Sequence, residues 1–187
     1  KELDHLYTCF KTCLIHLSLD GFGEHHDLIR YPSKWETMLE KLDYWDNTAD
    51  NIQVTIDLTA SILNVMHIPD FVKWKMQQNF KKINMDTMQD FIGIHFLHSP
   101  EFLSIQVLPQ ELKKQVEQKF EELHNWIVDN SYRAIIRLER YKRFRALISH
   151  MNHKDRSNEW PQAIEYLNAM DKIRGTNWKA VLKEYDR

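Results

Sequence analysis

The chain is poor in cysteine, glycine and long apolar segments. It has two cysteines and four glycines in 187 residues. So few glycines indicate that much of the chain is helical, or that glycine-rich loops lie outside it. No apolar run approaches the roughly 18–20 residues needed to cross a bilayer, and no segment resembles a signal peptide. The sequence therefore predicts a cytoplasmic protein.

A strong charge of either sign is also missing. The formal net charge is −2, with 43% hydrophobic and 28% charged residues, which is typical of a globular protein. The charge gives no reason to expect binding to nucleic acid or to an anionic membrane. The length suits one domain, or one domain with a helical appendix.

Two polar residues follow an apolar run near the start of the chain. Ser18 and Asp20 stand on alternate positions at the end of a predicted strand at 15–19, and Gly21 allows a sharp turn. Parallel sheets bind ligands at the carboxyl ends of their strands, so both side chains are candidates to hold a small polar ligand. The alternative is a strand end closed by an Asx-type turn.

Arg30 lies shortly after this strand. Its fixed fork of donors suits a carboxylate ligand, and the alternative is a surface ion pair with Asp27. Asn64, together with Thr59 and Ser61, follows a second predicted strand and belongs to the same rim, either as a ligand contact or as a turn or cap residue.

Hydrophobic periodicity predicts an alternation of strands and helices in the first part of the chain. Strand, helix and strand in this order call for a right-handed parallel crossover. The predicted elements are a helix over 3–13, the strand at 15–19, a polar loop over 22–27, a helix capped by Ser33 with Glu36, strands over 52–58 and 91–96, a helix from Pro69, and an extended run over 103–108.

From residue 110 onward the periodicity is helical. Helices are predicted over 110–130, 132–151 and 161–174, with Gly175 after the last one as a C′ residue. The helix at 132–151 is rich in arginine, so it is either a binding site for phosphates of nucleic acid or membrane or a solvated face balanced by the acidic helix before it.

Several cysteines and histidines invite a metal or catalytic interpretation. Cys9, Cys13 and His16 do not supply the three thiolates of a C-x3-C-x2-C cluster motif, and a helix running into a strand leaves no loop to wrap a cluster. Two cysteines four apart on a helix are also poor disulfide partners. The adjacent His25 and His26 have no further ligand at a zinc-like spacing. We therefore predict no metal site.

Two more histidines bear on catalysis. His95 and His98, in and after the third predicted strand, are either acid/base groups or structural residues. The catalytic residues stay unassigned from sequence.

Five short segments in order resemble the later part of a radical S-adenosylmethionine (SAM) enzyme of the twitch branch, a relative of the SPASM branch. They are Leu-Ser-Leu-Asp-Gly at 17–21, Ile-Arg-Tyr-Pro-Ser-Lys-Trp-Glu at 29–36, Thr-Ala-Ser-Ile-Leu-Asn at 59–64, Leu-Pro at 108–109 and Met-Asp-Lys-Ile-Arg-Gly at 170–175. The resemblance covers nearly the whole chain.

This resemblance implies a fold and a chemistry. The fold is α/β, with residues 1–109 forming the C-terminal half of an incomplete (β/α)6 partial barrel and residues 110–187 a helical extension. A [4Fe–4S] cluster would cleave SAM to abstract hydrogen from a peptide or small-molecule substrate. The residues implied for SAM binding are Ser18, Asp20, Arg30 and Asn64.

The cluster motif and an N-terminal half-barrel are missing from this chain, which is therefore a fragment of a longer enzyme or a degenerate relative. A non-catalytic interaction module that uses the basic helix at 132–151 is the alternative function.

Overall fold

The computed structural model describes residues 4–7, 9–83, 92–130 and 134–185, with the backbone alone at 4–5, 134–141 and 143. These ranges include four short 3-10 helices, at Glu101–Leu103, Ile105–Val107, Ser157–Glu159 and Lys183–Tyr185. The helices and strands are α1 (Asp4–Tyr7), β1 (Cys13–Ser18), α2 (Glu24–Ile29), α3 (Trp35–Asp46), β2 (Ile52–Ala60), α4 (Ile68–Gln77), β3 (Gly93–Phe96), α5 (Gln110–Asn130), α6 (Ala134–His153), α7 (Trp160–Arg174) and α8 (Trp178–Val181).

The three strands form one sheet in the order β1-β2-β3, and both pairings are parallel. The helices α2 and α3 connect β1 to β2, and α4 lies between β2 and β3 in the chain. The α/β class predicted from the sequence is therefore confirmed. Parallel neighbouring strands need such crossovers because the chain must return to the same end of the sheet before the next strand begins.

The two faces of the sheet differ in polarity. One face is apolar and joins the core through residues such as Leu17, Ile56, Leu58 and Phe96. The other face, which we call the open face, is exposed or half-buried. It carries Leu14, His16 and Ser18 of β1, Gln53, Thr55, Asp57 and Thr59 of β2, and Gly93 and His95 of β3.

Strand β1 lies at an edge of the sheet in the part of the chain that the structure describes. It pairs with β2 from Cys13 to Ser18 and with no other described strand. The side chain of Leu14 is 49% exposed there. Parallel strands are normally covered on both faces, so an open edge beside an open face is unusual for this type of sheet.

The helices after residue 109 share a core with the sheet. Phe120 of α5, Phe144 of α6 and Trp178 of α8 all belong to the buried cluster that contains the inner face of the strands. Near the C-terminus the hydroxyl of Tyr185 donates to the carbonyl of Ile62 at 2.6 Å. The division at residue 109 stays a prediction, but the two parts contribute to one continuous core.

The structure corrects two predictions at the start of the chain. The helix predicted over 3–13 is described only at Asp4–Tyr7, and Cys13 already pairs with Ile52 as the first residue of β1. The polar loop predicted over 22–27 contains most of α2, which buries His26 and Leu28 on its inner side. Four polar residues followed by Leu28 and Ile29 show no helical period in so short a segment.

Two later predictions are also wrong. Ser33 does not cap α3, because the N-cap position is Lys34 and the carboxylate of Asp27 accepts from the backbone N–H of Trp35 at 2.7 Å. The run at 103–108 is not extended but forms 3-10 turns, one of them capped by Ser104. Leu108, in the Leu-Pro segment of the resemblance, is fully buried in the core.

The remaining predicted elements hold with small shifts. The strands at 52–58 and 91–96 appear as β2 and β3, and Phe91 lies outside the described residues. Helix α5 has the predicted bounds, and Gly175 ends α7 with a left-handed φ of 66°. No helix within the described ranges combines the length and apolar character needed to cross a bilayer.

The open edge of β1 predicts self-association of the isolated chain. We expect dimers or aggregates in sedimentation velocity, because an uncovered parallel edge with exposed Leu14 offers hydrogen-bonding groups and apolar surface to another chain. Leu14→Lys should reduce this association, since a charge on an edge strand opposes pairing. Ile173→Lys, at a side chain that is 78% exposed on α7, is the matched control and should not. A monomeric wild-type chain with a sharp calorimetric transition would contradict the prediction.

Candidate functional site

The carboxylate of Asp20 ties together the carboxyl ends of β1 and β2. Its Oδ1 accepts from the backbone N–H of Thr59 at 2.8 Å, and its Oδ2 accepts from Nε of Arg30 at 2.6 Å. The Asp20 side chain is 8% exposed. Charge-assisted hydrogen bonds of this kind are among the strong ones, so the pair fixes Arg30 at the end of the sheet.

Asn64 closes the turn that follows β2. Its amide nitrogen donates to the carbonyls of Asp20 at 3.1 Å and Thr59 at 3.0 Å, while its Oδ1 accepts from the backbone N–H of Ser61 at 2.9 Å. The residue is 1% exposed. Asn64 therefore joins the same two strand ends as Asp20, and both of its amide hydrogens are already in use.

Arg30 presents most of its fork outward. Only Nε contacts Asp20, and among the described residues the two terminal nitrogens have no hydrogen-bond partner. The side chain is 35% exposed. The predicted alternative, an ion pair with Asp27, is not what the structure shows, because Asp27 instead binds Trp35 and Lys34. Two free, coplanar donors beside a buried carboxylate can bind a carboxylate ligand in a bidentate manner.

Ser18 lies apart from the other three predicted residues. It is the last residue of β1, on the open face and exposed, and pairs in register with Asp57. Within the described ranges it makes no hydrogen bond to Asp20, Arg30 or Asn64. Asp20, Arg30 and Asn64 thus form one group at the rim, and Ser18 stands beside it on the strand.

The segment at 170–175 reaches the same end of the sheet. Nη1 of Arg174 donates to the carbonyl of Leu28 in α2 at 3.2 Å, and its guanidinium lies 5.2 Å from the ring centroid of Tyr31. The carboxylate of Asp171 accepts from the backbone N–H of Trp178 at 2.9 Å and so holds α8 against the end of α7. The C-terminal helices thereby brace the α2 segment that carries Arg30.

A pair of stacked histidines lies under the turn after β1. The rings of His25 and His67 are parallel with centroids 3.6 Å apart, and a Cβ on Gly21 would come within 3.0 Å of His67. Burial lowers the pKa of His67 to about 3, helped by the neighbouring His25 and Lys119. Burial also lowers the pKa of His25, against the opposing charge of Glu184. Both rings are therefore held neutral near pH 7.

The structure separates the residues that invited a metal interpretation. Cys9 is exposed, Cys13 is half-buried in β1, and Nε2 of His26 turns to Ser33 Oγ at 3.1 Å, away from His25. In the ranges that the structure describes, no three His, Cys, Asp or Glu side chains group as metal ligands. A [4Fe–4S] cluster does not fit these residues, because a third thiolate is missing.

The other two predicted features stay predictions. His95 and His98 are both exposed, His95 on the open face and His98 beyond the end of β3. Most side chains of the basic helix at 132–151 lie outside the described residues.

A second polar group, not predicted from the sequence, lies on the open face. Nδ1 of His16 is 2.7 Å from Oδ2 of Asp57 and 3.0 Å from Oγ1 of Thr55. In the sequence, His16 stands out only as the third position of a cysteine motif. Alternation along both strands places these residues on one face, but the register of β1 against β2, which joins them, was not available from sequence.

A pocket of about 470 Å3 lies at the opposite end of the sheet. Tyr7, Tyr44, Asn47 and Ile52 are among its lining residues, so it sits at the amino end of β2. Ligands of open parallel sheets bind at the carboxyl ends. The rim that carries Asp20 and Arg30 is therefore the better candidate site.

Comparison with known proteins assigns the chain to no family. No family model matches the chain, and no significant match is found among curated proteins or solved structures.

Asn64→Ala is expected to lower the free energy of unfolding by about 2–4 kcal/mol, because it leaves Ser61 N–H and two carbonyls at the strand ends without their partner. Urea titration measures the change. Ser61→Ala, which removes one hydroxyl that accepts from Leu63 N–H, is the control and should cost only about 1 kcal/mol. Equal costs for the two variants would show that Asn64 does not hold the strand ends together.

Acid should destabilise the fold through His67. The unfolded state binds a proton at His67 near pH 6.5 and the folded state only near pH 3, so stability is lost as the pH falls between these values. The loss is up to about 1.4 kcal/mol per pH unit from this group. His67→Gln, which cannot titrate, should give a flatter stability profile from pH 7 to pH 5 in urea titrations. A wild-type profile as flat as that of the variant would contradict the burial of a neutral imidazole.

Proposed function

We propose that the chain is the C-terminal part of a radical SAM enzyme and that SAM binds at the rim formed by Asp20, Arg30 and Asn64. The proposal includes a partial barrel of the (β/α)6 type, to which the three described strands would contribute one part. The observation that carries it is the convergence of three of the four residues implied by the resemblance at the carboxyl end of one parallel sheet.

The difference in polarity between the two faces of the sheet supports the proposed barrel. In an α/β barrel the helices cover one face of the sheet, and the other face turns toward the interior of the barrel. The described sheet has an apolar face against the helices and an open polar face, which is the division expected of part of a barrel wall. Further strands preceding β1 would cover its free edge. A closed three-stranded module would instead be expected to cover both faces.

The residues at the rim suit SAM in different ways. The outward nitrogens of Arg30 would bind the methionine carboxylate, with Asp20 holding the guanidinium in place. The second lone pairs of the Asp20 oxygens would accept from a ribose hydroxyl or from the amino group. The hydroxyl of Ser18 would accept from either group or donate to a ribose oxygen. Asn64, whose amide hydrogens are used, would act on the adenosyl side mainly by shaping the turn at 61–64.

The cluster would be held by residues outside this chain. Together with SAM, such a cluster would supply the radical chemistry of the family, which is hydrogen abstraction from a substrate. The described residues would bind and orient SAM and exclude water from it. A peptide or small molecule would be the substrate.

Arg30 provides the test of the SAM site. In a protein extended by the upstream half-barrel, Arg30→Ala should weaken SAM binding by about 1.5–3 kcal/mol, the scale of a hydrogen bond to a charged group. Arg30→Lys should restore only part of the affinity, because lysine lacks the planar fork. Isothermal titration calorimetry gives the affinities.

The control for that experiment is Lys34→Ala, which removes a nearby cation that is 65% exposed and bound to Asp27. It should leave SAM affinity unchanged. Wild-type affinity in both Arg30 variants would remove Arg30 from the site. Absence of SAM binding in the extended wild-type protein would favour the alternative, a non-catalytic interaction module.

A further inference from the structure

The open face carries a histidine held by a carboxylate. Nδ1 of His16 lies 2.7 Å from Asp57 Oδ2, and the hydroxyl of Thr55 lies 3.0 Å from the same nitrogen. These three residues come from two neighbouring strands whose register places His16 directly beside Thr55 and Ser18 beside Asp57. The pairing is therefore fixed by the sheet and not by a flexible loop.

This contact determines which ring nitrogen faces outward. A carboxylate only accepts, so Nδ1 of His16 carries the proton that the hydrogen bond to Asp57 requires. In the neutral ring, Nε2 then has a free lone pair. The His16 side chain is 53% exposed and the Asp57 side chain 24% exposed. The imidazole thus presents a proton acceptor to the space above the open face, with a carboxylate behind it.

Gly93 leaves room for this arrangement. A Cβ built at Gly93 would lie 2.1 Å from Oδ1 and 2.9 Å from Cγ of Asp57. Gly93 pairs in register with Asp57 in the neighbouring strand. Any larger residue at this position would displace the carboxylate from its place, so the position of Asp57 depends on the absence of a side chain on β3.

The open face has a distinct charge. Asp57 is the acidic residue among the nine residues that form this face, and none of the nine is lysine or arginine. The residues of the face are Leu14, His16, Ser18, Gln53, Thr55, Asp57, Thr59, Gly93 and His95. Among the nine residues of this face, a phosphate or carboxylate would find no fixed cation and would be repelled by Asp57. A neutral or cationic group with a hydrogen to donate would find several acceptors.

We propose that His16, positioned by Asp57, is a proton-accepting catalytic residue for a substrate bound against the open face, and that this substrate is neutral or cationic with an O–H or N–H group. Nε2 of His16 takes the proton, and the electron pair of the broken O–H or N–H bond stays on the substrate heteroatom. The resulting imidazolium is stabilised by the Asp57 carboxylate. The substrate role rests on the proposed function, in which the open face would line the inside of a barrel.

Acylation by diethyl pyrocarbonate tests the dyad on the 187-residue chain itself. This reagent attacks the unprotonated ring nitrogen, and peptide mapping by mass spectrometry gives a rate for each histidine. His16 should react at least about fivefold faster than the exposed His95 on the same face, because the contact with Asp57 holds the proton on Nδ1 and leaves the unprotonated Nε2 accessible to the reagent. Asp57→Asn should bring the rate of His16 close to that of His95.

Two controls separate orientation from folding. Asp50→Asn removes a fully exposed carboxylate elsewhere in the chain and should leave the ratio of the two rates unchanged. Nitrogen-15 NMR should show His16 with its proton on Nδ1 in the wild type, and a mixture of tautomers in Asp57→Asn. Inorganic phosphate in excess should not protect His16 from acylation.

Three results would overturn the proposal: equal rates for His16 and His95, a His16 rate that does not respond to Asp57→Asn, or protection of His16 by phosphate. None of these measurements involves SAM. The SAM affinity of the extended wild-type protein is measured separately. Loss of SAM binding in the wild type would contradict the proposed function, while a failed acylation test would contradict only the dyad.

Discussion

The buried carboxylate of Asp20 is the interaction on which the carboxyl end of the sheet depends. It bonds to the backbone of β2 at Thr59 and to the side chain of Arg30, which follows α2. Asn64 adds a second link between the same strand ends from the opposite direction. A carboxylate at this depth is costly unless it is fully bonded, so its two oxygens are satisfied by a backbone N–H and a guanidinium. The position of Arg30 follows from that requirement.

The sheet carries two different groups of functional side chains, one at its rim and one on its open face. Its rim holds a fixed guanidinium with outward donors, suited to a carboxylate, while its open face holds an imidazole and a carboxylate, suited to proton transfer. The apolar face packs against helices that extend into the C-terminal region, where Tyr185 bonds back to Ile62. The core therefore runs through the whole described chain, whereas the polar face and the free edge of β1 stay uncovered by it. We interpret this imbalance as part of a barrel wall.

The strand ends near Asp20 and Asn64 could be predicted because apolar runs followed by turn residues mark where strands stop. Asp20 and Asn64 follow two such runs, and their convergence needs only that the strands be parallel neighbours. Ser18 was grouped with them because it stands two residues before Asp20, but Asp20 has left the strand and folds across its end. The helix α2 and the 3-10 turns near Ser104 were missed because six residues or fewer do not define a period.

The dyad of His16 and Asp57 shows what the sequence could not provide. Alternation along each strand predicts that both residues lie on the polar face. Their contact, however, depends on the register between the two strands, and the two residues are 41 positions apart in the chain. Register is a tertiary property, set here by the burial of Ile15 and Leu17 against the apolar side. His67 was missed for a similar reason, since only the turn after β1 brings it to His25.

Cluster reconstitution is the most direct test of the central claim. After anaerobic treatment with iron and sulfide, the 187-residue chain should stay colourless, because Cys9 and Cys13 cannot supply three thiolates. The protein extended upstream should contain C-x3-C-x2-C, turn brown and cleave SAM when reduced. A brown 187-residue chain whose cluster is lost in Cys9→Ala would contradict this account, as would an extended protein that binds no cluster and leaves SAM intact.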